Sequence, residues 1–509
     1  MKAAVIGSGV GGLAISIRLA LKGYEVIVYE QNNHAGGKIS EIRARGYRFD
    51  TGPSLFTLPE LTKELFEAAG KKVEDYLPYI KLDNICTYFY EDGTQIRAVG
   101  NPERFASEVE EQTGESSGRV LKHLNRCKEL FDLTARIFLF NSLHKVRTYL
   151  TWRVLKGILQ FYKVDAFTTM HERNRIRFKD ERIVQLFDRY ATYNGSNPYA
   201  APATLNVIAH IEHRLGAFFP TRGMRSVAVA LENLARDSGV LFQFSSKVGK
   251  IVVESGRAAG LMVHNEYVPC DLIVSDCDIH YLYNHLLTGS KQFRISEKNL
   301  SSSALIFYWG LKGKFKSLGL HNILFSGNYE AEFQHIFEKR SIYNDPTVYI
   351  FISSKVVPAD APDKAENWFV MINVPPDTGQ DWDRIIADTR QYIINKINRI
   401  LKTRVEDLIV FEQVSSPLTI GKSTLSCRGA LYGAHSNSVF SAFLRHPYRH
   451  KSIKNLYFVG GSVHPGGGIP LCLASAKIAD REIKPVWTNE LKVQENNKAY
   501  RISSQNLQE

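Results

Sequence analysis

Residues 2–30, KAAVIGSGVGGLAISIRLALKGYEVIVYE, change their hydrophobic period twice. Ala3 to Ile6 is an unbroken apolar run, the pattern of a parallel strand buried on both faces. Leu13, Ile17 and Leu21 then recur at helical spacing as far as Lys22-Gly23. Glu25 to Tyr29 returns to a β-rich run that ends in Glu30, so the pattern predicts strand, helix, strand. The same order returns late in the chain. Leu456 to Val459 reads as a buried strand, Gly460 to Pro470 as a loop too glycine-rich to be regular, and Leu471 to Ile478 as a helix. Between these blocks, Ser226 to Ala235 predicts a helix. Ala304 to Leu311, Thr347 to Ile352 and Trp368 to Val374 predict strands, and Trp382 to Leu401 a helix that covers them. Periodicity does not separate an apolar tunnel wall from a packed core for these strands, and a core is the default expectation. After Pro485 the chain turns polar and predicts a frayed tail.

Composition sets outer limits. The chain has 509 residues, 44% of them hydrophobic and 23% charged, which excludes a largely disordered protein and suggests two or three domains. With 64 Lys+Arg against 52 Asp+Glu, the net charge of +12 points to an anionic partner: nucleic acid, a lipid surface or a phosphate-bearing ligand. Six scattered cysteines show no CxxC pair or Cys/His spacing, so no metal site is expected, and free thiols in a reducing cytoplasm are. No run approaches ~18 uncharged apolar residues, and the first motif starts too early for a cleavable signal peptide. The expectation is a cytoplasmic protein, or one attached to a membrane from its cytoplasmic side.

The first block carries chemistry. Gly7, Gly9 and Gly12 have the GxGxxG spacing, with Val10 between them at the start of the predicted helix. Gly7 permits a tight turn, Gly9 lets the backbone approach a pyrophosphate, and Gly12 lets helix and strand pack closely. The helix N-terminus offers unpaired N–H groups to phosphate oxygens. Glu30 lies 18 residues beyond Gly12, placed to accept hydrogen bonds from ribose hydroxyls. That fingerprint suits NAD and FAD alike.

The next segment chooses. Gly36-Gly37-Lys38 follows the ribose acid, and Gly46 to Ser54, with Pro53 and Ser54 at its end, comes soon after. At this point the chain resembles the FAD-binding superfamily of amine oxidases, protoporphyrinogen oxidases and phytoene desaturases, in which a GG(R/K) motif follows the ribose acid. The late block, NLYFVGGSVHPGGGIPLCLASAKIA, adds a second strand–glycine loop–helix cradle through Gly460, Gly461, Gly468, Ile469 and Pro470. Together the two blocks look like bacterial carotenoid desaturases of the phytoene desaturase type. Tyr190 to Pro202 and Pro220-Thr221-Arg222-Gly223-Met224 look like two further family segments. Val248 matches the position whose backbone the family uses at adenine. Three departures stand out: Arg222 where many members have a second glycine, Val274-Ser275-Asp276-Cys277-Asp278 in place of VSN-A-D, and GGSVHPGGG in place of GAGTHPGAG. The last leans toward the hydroxycarotenoid 3,4-desaturase branch.

The resemblance implies an α/β fold with FAD as cofactor. A Rossmann-like FAD-binding domain would be assembled from discontinuous segments 1–95, 206–285 and 426–485. A helical membrane-binding lid would occupy 96–205, a mixed-sheet substrate domain 286–425, and the polar tail 486–509. The implied activity is desaturation of a carotenoid: hydride transfer to flavin from one carbon and proton loss from its neighbour. A 1-hydroxycarotenoid is the expected substrate, with phytoene desaturation as an alternative. His464, at the glycine loop, is a candidate proton acceptor; a loop histidine bonded to backbone is the simpler reading. Rival functions are a soluble amine oxidase-like enzyme and a non-enzymatic prenyl-binding escort of the GDP-dissociation-inhibitor kind. The escort would leave Glu30, Gly36-Gly37 and the late glycine loop unexplained.

Residues 134–164 hold six cations (Arg136, Lys145, Arg147, Arg153, Lys156, Lys163) and no acid. On a helix, Arg153, Lys156 and Lys163 share one side, while Leu150, Val154, Leu155, Ile158, Phe161 and Tyr162 share the other. An apolar face with a basic flank predicts a helix lying in a membrane interface; an ordinary core-packed helix is the alternative. No nucleic-acid motif accompanies the basic surplus. The expected partners are a carotenoid and the inner face of the cell membrane.

Overall fold

The computed structural model describes residues 1–138, 164–287, 295–438 and 445–486, together with 293 and 441. Residues 139–163 of the basic stretch 134–164, and 487–509 of the polar tail, lie outside the described residues. Strand Lys2–Ile6, helix Val10–Leu21 and strand Glu25–Tyr29 form as the period predicts. Apolar runs of this kind need cover on both faces, and they find it in a five-stranded parallel sheet. Its spatial order is Leu241–Gln243, Glu25–Tyr29, Lys2–Ile6, Leu272–Ser275, Leu456–Phe458. The members come from the start, middle and end of the sequence, so this unit is assembled from discontinuous segments. Helix Val10–Leu21 packs against helices Arg225–Asp237 and Ile469–Asp480.

A second, mixed sheet has seven strands in the order Ile409–Ser415, Ser303–Lys312, Ala365–Val374, Val348–Phe351, His321–Leu324, Asn84–Phe89, Gln95–Val99. All pairs are antiparallel except His321–Leu324 with Asn84–Phe89. The hairpin 84–99, counted by the sequence reading mostly with the first FAD segment, adds to this sheet instead. The central strands answer the question of core or tunnel by alternation. Leu305, Phe307 and Trp309 face a core with Ile393, Ile394 and Ile397 of helix Trp382–Leu401. Ala304, Ile306 and Tyr308 face an internal cavity. Among the described residues of the region expected to be a lid lie the helices Pro102–Thr113, Ser117–Phe138, Met170–Arg177 and Glu181–Asp188. Among the described residues no helix is long and apolar enough to cross a membrane.

One buried ionic cluster joins the hairpin of strands Glu41–Ala44 and Tyr47–Asp50 to the turn Pro358–Asp360 and to helix Arg225–Asp237. Arg48, on strand Tyr47–Asp50, reaches Glu41 Oε2 at 2.6 Å, Asp50 Oδ1 at 2.7 Å and Asp360 Oδ2 at 3.0 Å. Burial works against its charge, but Asp50, Asp360 and Glu41 outweigh it and raise the guanidinium pKa. Asp50 in turn accepts from the N–H groups of Met224 and Arg225, at the start of helix Arg225–Asp237. Gly223 has to be glycine, since a Cβ there would collide with the Arg48 guanidinium. Arg222, the bulkier departure beside it, is exposed and is accommodated by solvent.

Arg48→Ala would leave Asp50 and Asp360 buried without an ion-pair partner, while Glu41 keeps Arg43, and is expected to cost about 3–5 kcal/mol in urea denaturation. Arg384→Ala, which removes an exposed pair with Asp388, is expected to leave the denaturation midpoint unchanged.

Candidate functional site

Strand Lys2–Ile6 ends at Gly7, whose φ of +92° makes the turn that an L side chain resists. Helix Val10–Leu21 starts directly after Gly9, which caps it without any side-chain hydrogen bond. A helix start leaves several N–H groups without intrahelical partners. Here that start opens on the cavity, which Gly7, Gly9 and Val10 line. Gly12 does not line it; its role is packing, because a Cβ there would collide with the Gly7 carbonyl.

Glu30 terminates strand Glu25–Tyr29 beside this loop and is buried. Its Oε2 accepts from Ser8 N–H and Ser8 Oγ, both at 2.8 Å. Its Oε1 accepts from Asn32 N–H at 2.9 Å and Asn32 Nδ2 at 2.8 Å. These four donors fill the carboxylate's acceptor sites and hold it at the cavity wall, so a ribose hydroxyl would take the place of one of them. Val248, first residue of strand Val248–Glu254, lines the same wall.

The second glycine pair meets the first. A Cβ on Gly37 would sit 3.2 Å from Gly9 Cα, and one on Gly36 would crowd the Ile39 carbonyl and the Arg225 guanidinium. Lys38 lines the cavity and donates to the Leu431 carbonyl. Burial lowers its pKa, opposed by Asp278, Cys472 and Asp276. Gly52 packs on the Lys38 carbonyl, which brings Pro53 and Ser54 to the cavity.

The late block closes the site. Strand Leu456–Phe458 pairs with Leu272–Ser275, and Gly460 follows. Gly460 packs rather than lines the cavity, whereas Gly461, His464, Gly468, Ile469 and Pro470 line it. His464 is buried on that wall, and its N–H donates to the His446 carbonyl at 3.0 Å. Gly468 has φ +106° and caps helix Ile469–Asp480 without a side-chain hydrogen bond. A Cβ there would meet nothing within 4 Å. Two helix starts thus face one cavity, neither capped by its own N-cap residue, although the Asp276 carboxyl takes the Gly9 and Gly12 N–H groups at the first. The other N–H groups of these starts suit a diphosphate and a polarised ring oxygen, so the residues present fit FAD.

Sequence reasoning gave no role to Asp276, which the structure places at the centre. Its carboxyl lies where Cβ atoms on Gly9, Gly11 or Gly460 would fall. Burial pushes it up to about 7, opposed by the backbone N–H groups of Gly12 and Gly9 and by Lys38, and helped by Glu30. The replacement of asparagine by aspartate in VSDCD was the available signal. A buried cluster of Arg189, Glu212, Tyr190 and Tyr193 was also missed. Arg189 Nη2 meets Glu212 Oε1 at 2.7 Å, and both tyrosine hydroxyls donate to Glu212. No local sequence pattern marks that cluster, since its members meet only in the fold.

The cavity has a volume of about 910 Å³ and joins the glycine loops to the mixed sheet. Ile306, Ile323, Phe369 and Met371 give its second half an apolar wall. Phe131 and Thr134, on the helix leading into the basic stretch, line it too. Among the described residues no group of three His, Cys, Asp or Glu is placed to hold a metal ion.

Comparison with known proteins agrees with this geometry. Residues 10–483 match the model of the flavin containing amine oxidoreductase family. The chain is 47% identical over 481 residues to a 1-hydroxycarotenoid 3,4-desaturase of Flavobacterium sp. (strain P99-3), covering 94% of this chain and 98% of that protein. It is 30% identical over 489 residues to a 4,4'-diapolycopene oxygenase of Methylomonas sp, covering 94% and 97%. An oxidoreductase structure from Methanosarcina mazei shares the fold with TM-score 0.61 at 16% identity, covering 95% of this chain and 100% of that one. The chain belongs to the flavin containing amine oxidoreductase family and is an FAD-dependent oxidoreductase.

Proposed function

We propose that this enzyme desaturates an acyclic 1-hydroxycarotenoid at C3–C4. The observation that carries the reading is one continuous cavity, glycine-built at one wall and apolar at the other. A polyene fits the apolar part, and the 47% identical relative is named for this reaction. FAD when bound supplies a hydride acceptor, which no side chain offers. The N-terminal residues of helices Val10–Leu21 and Ile469–Asp480 would hold its phosphates and ring, with Glu30 on the ribose. Gly36, Gly37, Lys38, Pro53, Ser54 and Val248 would complete that cradle. A hydride leaving a carbon beside a polyene leaves an allylic cation, already stabilised by conjugation. The chain's tasks are then positioning the polyene and keeping water out, which the apolar wall of Ile306, Ile323, Phe369 and Met371 serves. His464, on the glycine-loop wall, would take the proton from the neighbouring carbon.

The basic stretch 134–164 would rest on the cytoplasmic face of a membrane and pass the carotenoid inward. Phe131 and Thr134, on both the leading helix and the cavity wall, support that route.

Three measurements check these statements. Purified protein with FAD is expected to absorb in the visible as a flavoprotein and to remove two hydrogens from a 1-hydroxycarotenoid, read by chromatography and mass. Amine oxidation without any carotenoid product would overturn the reading. FAD affinity is expected to be flat below about pH 7, where Asp276 is protonated, and to weaken as pH rises. An ionised Asp276 then repels the diphosphate, and the slope approaches about tenfold per pH unit. In Asp276→Asn, fluorescence titration of FAD from about pH 6 to about pH 9 is expected to give a flat profile. Exchange of Lys145, Arg147, Arg153, Lys156 and Lys163 for Glu is expected to abolish co-sedimentation with anionic liposomes; unchanged binding would remove the membrane role of the stretch.

A further inference from the structure

Away from the glycine loops, the cavity wall carries a short chain of hydrogen-bonded side chains. Ser54 Oγ lies 2.6 Å from Tyr349 Oη, and Tyr349 Oη lies 2.7 Å from His321 Nδ1. All three residues line the cavity, among Ile85, Ile323, Phe369 and Met371. His321 stacks on Phe351, with ring centroids 5.3 Å apart and planes at 15°, and is 4% exposed. Its Nε2 has no hydrogen-bond partner among the described residues. Burial pushes the imidazole down to about 3, against the raising effect of Glu212, so the ring is neutral. A second polar cluster beside this wall is closed on itself: Arg189, Tyr190 and Tyr193 all bond Glu212. Ser54 is different. A hydroxyl has one donor and two acceptor sites, and Ser54 makes one hydrogen bond.

Position gives this chain a purpose. Ser54 stands two residues past Gly52, which packs on the Lys38 carbonyl beside the Gly36-Gly37 pair. Tyr349 and His321 belong to the mixed sheet. The chain of hydrogen bonds therefore runs from the edge of the cofactor cradle into the apolar wall. In the reaction proposed above, the carbon bearing the hydroxyl is two bonds from the first reacting carbon. With carbon–carbon bonds of about 1.5 Å, the hydroxyl sits roughly 3–4 Å from the reacting pair. That hydroxyl would enter an apolar cavity, where an unpaired polar group is strongly disfavoured.

We propose that Ser54, Tyr349 and His321 form the subsite that binds the C1 hydroxyl and makes this chain select hydroxylated over unhydroxylated polyene ends. The inference rests on the desaturase reading and adds the residues that read the substrate. A neutral imidazole lets the chain run in either direction. With the proton on Nε2, His321 accepts from Tyr349, Tyr349 accepts from Ser54, and Ser54 accepts from the substrate. With the proton on Nδ1 every bond reverses and Ser54 donates. Either way an unhydroxylated end leaves Ser54 unsatisfied, and a site built to bond a hydroxyl rejects the analogue that lacks it.

The test uses the FAD-loaded enzyme with a 1-hydroxy acyclic carotenoid and its unhydroxylated counterpart, comparing kcat/KM. The wild type is expected to favour the hydroxylated compound by at least about tenfold. Tyr349→Phe breaks the chain at its centre, and its preference is expected to fall by about tenfold, with FAD content by visible absorbance and Tm unchanged. Equal kcat/KM for the two compounds in the wild type overturns the subsite, and so does an undiminished preference in a Tyr349→Phe enzyme that holds FAD. No turnover of the hydroxylated compound by the wild type defeats the desaturase reading itself. The wild-type comparison decides the matter even if the variant does not fold.

Discussion

Everything in this protein hangs on one crowded point where three distant parts of the chain touch around Asp276. A Cβ on Gly9, Gly11 or Gly460 would collide with its carboxyl, and one on Gly11 would lie 2.9 Å from Gly460 Cα. The constraint is steric before it is chemical. Only backbone without side chains lets the first loop, the strand Leu272–Ser275 and the last strand end at the same place. Once they do, two helix starts are aimed at one volume, and the parallel sheet behind them is fixed in order. The chain then leaves this sheet to build the mixed sheet and returns, so the substrate wall is held by the same join. The Arg48 cluster is the second fastening, linking strand Tyr47–Asp50 to Asp360 and to helix Arg225–Asp237.

What the sequence revealed follows from how local each signal is. Strand Lys2–Ile6 and helix Val10–Leu21 were legible because their period and glycines lie within one short window. The helix read as Leu471 to Ile478 runs in the structure as Ile469–Asp480, starting two residues earlier because Gly468 and Pro470 suit a helix start. Hairpin 84–99 was misassigned because strand partnership is non-local: nothing in Asn84–Phe89 names His321–Leu324 as its neighbour. The strand Ser303–Lys312 shows the limit most directly. Both of its faces are apolar, one for a core and one for a cavity, and burial asks for the same residues in each case.

The candidate site divides in the same way. Its glycines, Glu30 and the late loop were readable because a cradle made from backbone leaves a pattern in the sequence. Asp276, Ser54–Tyr349–His321 and Arg189–Glu212 left little or none, since each is a pairing between elements far apart in the chain. His464 was found by its neighbours in the loop, and the structure sets it on the cavity wall beside them.

That division has a consequence for how such an enzyme can change. In the proposed reading the phosphates of the cofactor would be met by N–H groups of helix starts, whose geometry depends on glycines and not on side-chain charge. The polyene would be met by side chains on strands of the other sheet, each alternate residue of which can vary without moving the backbone. Substitutions on the cavity face of Ser303–Lys312, His321–Leu324 or Ala365–Val374 can therefore retune the substrate while the glycine cradle stays intact. The comparison fits: a desaturase at 47% identity and an oxygenase at 30% identity both align with 94% of the chain. One scaffold carries different chemistries when the cofactor site is built from backbone and the substrate site from side chains. In that reading the positive surplus would serve neither site, since backbone donors would meet the phosphates. Its densest run in the sequence, 134–164, begins at Thr134, which with Phe131 lines the cavity wall.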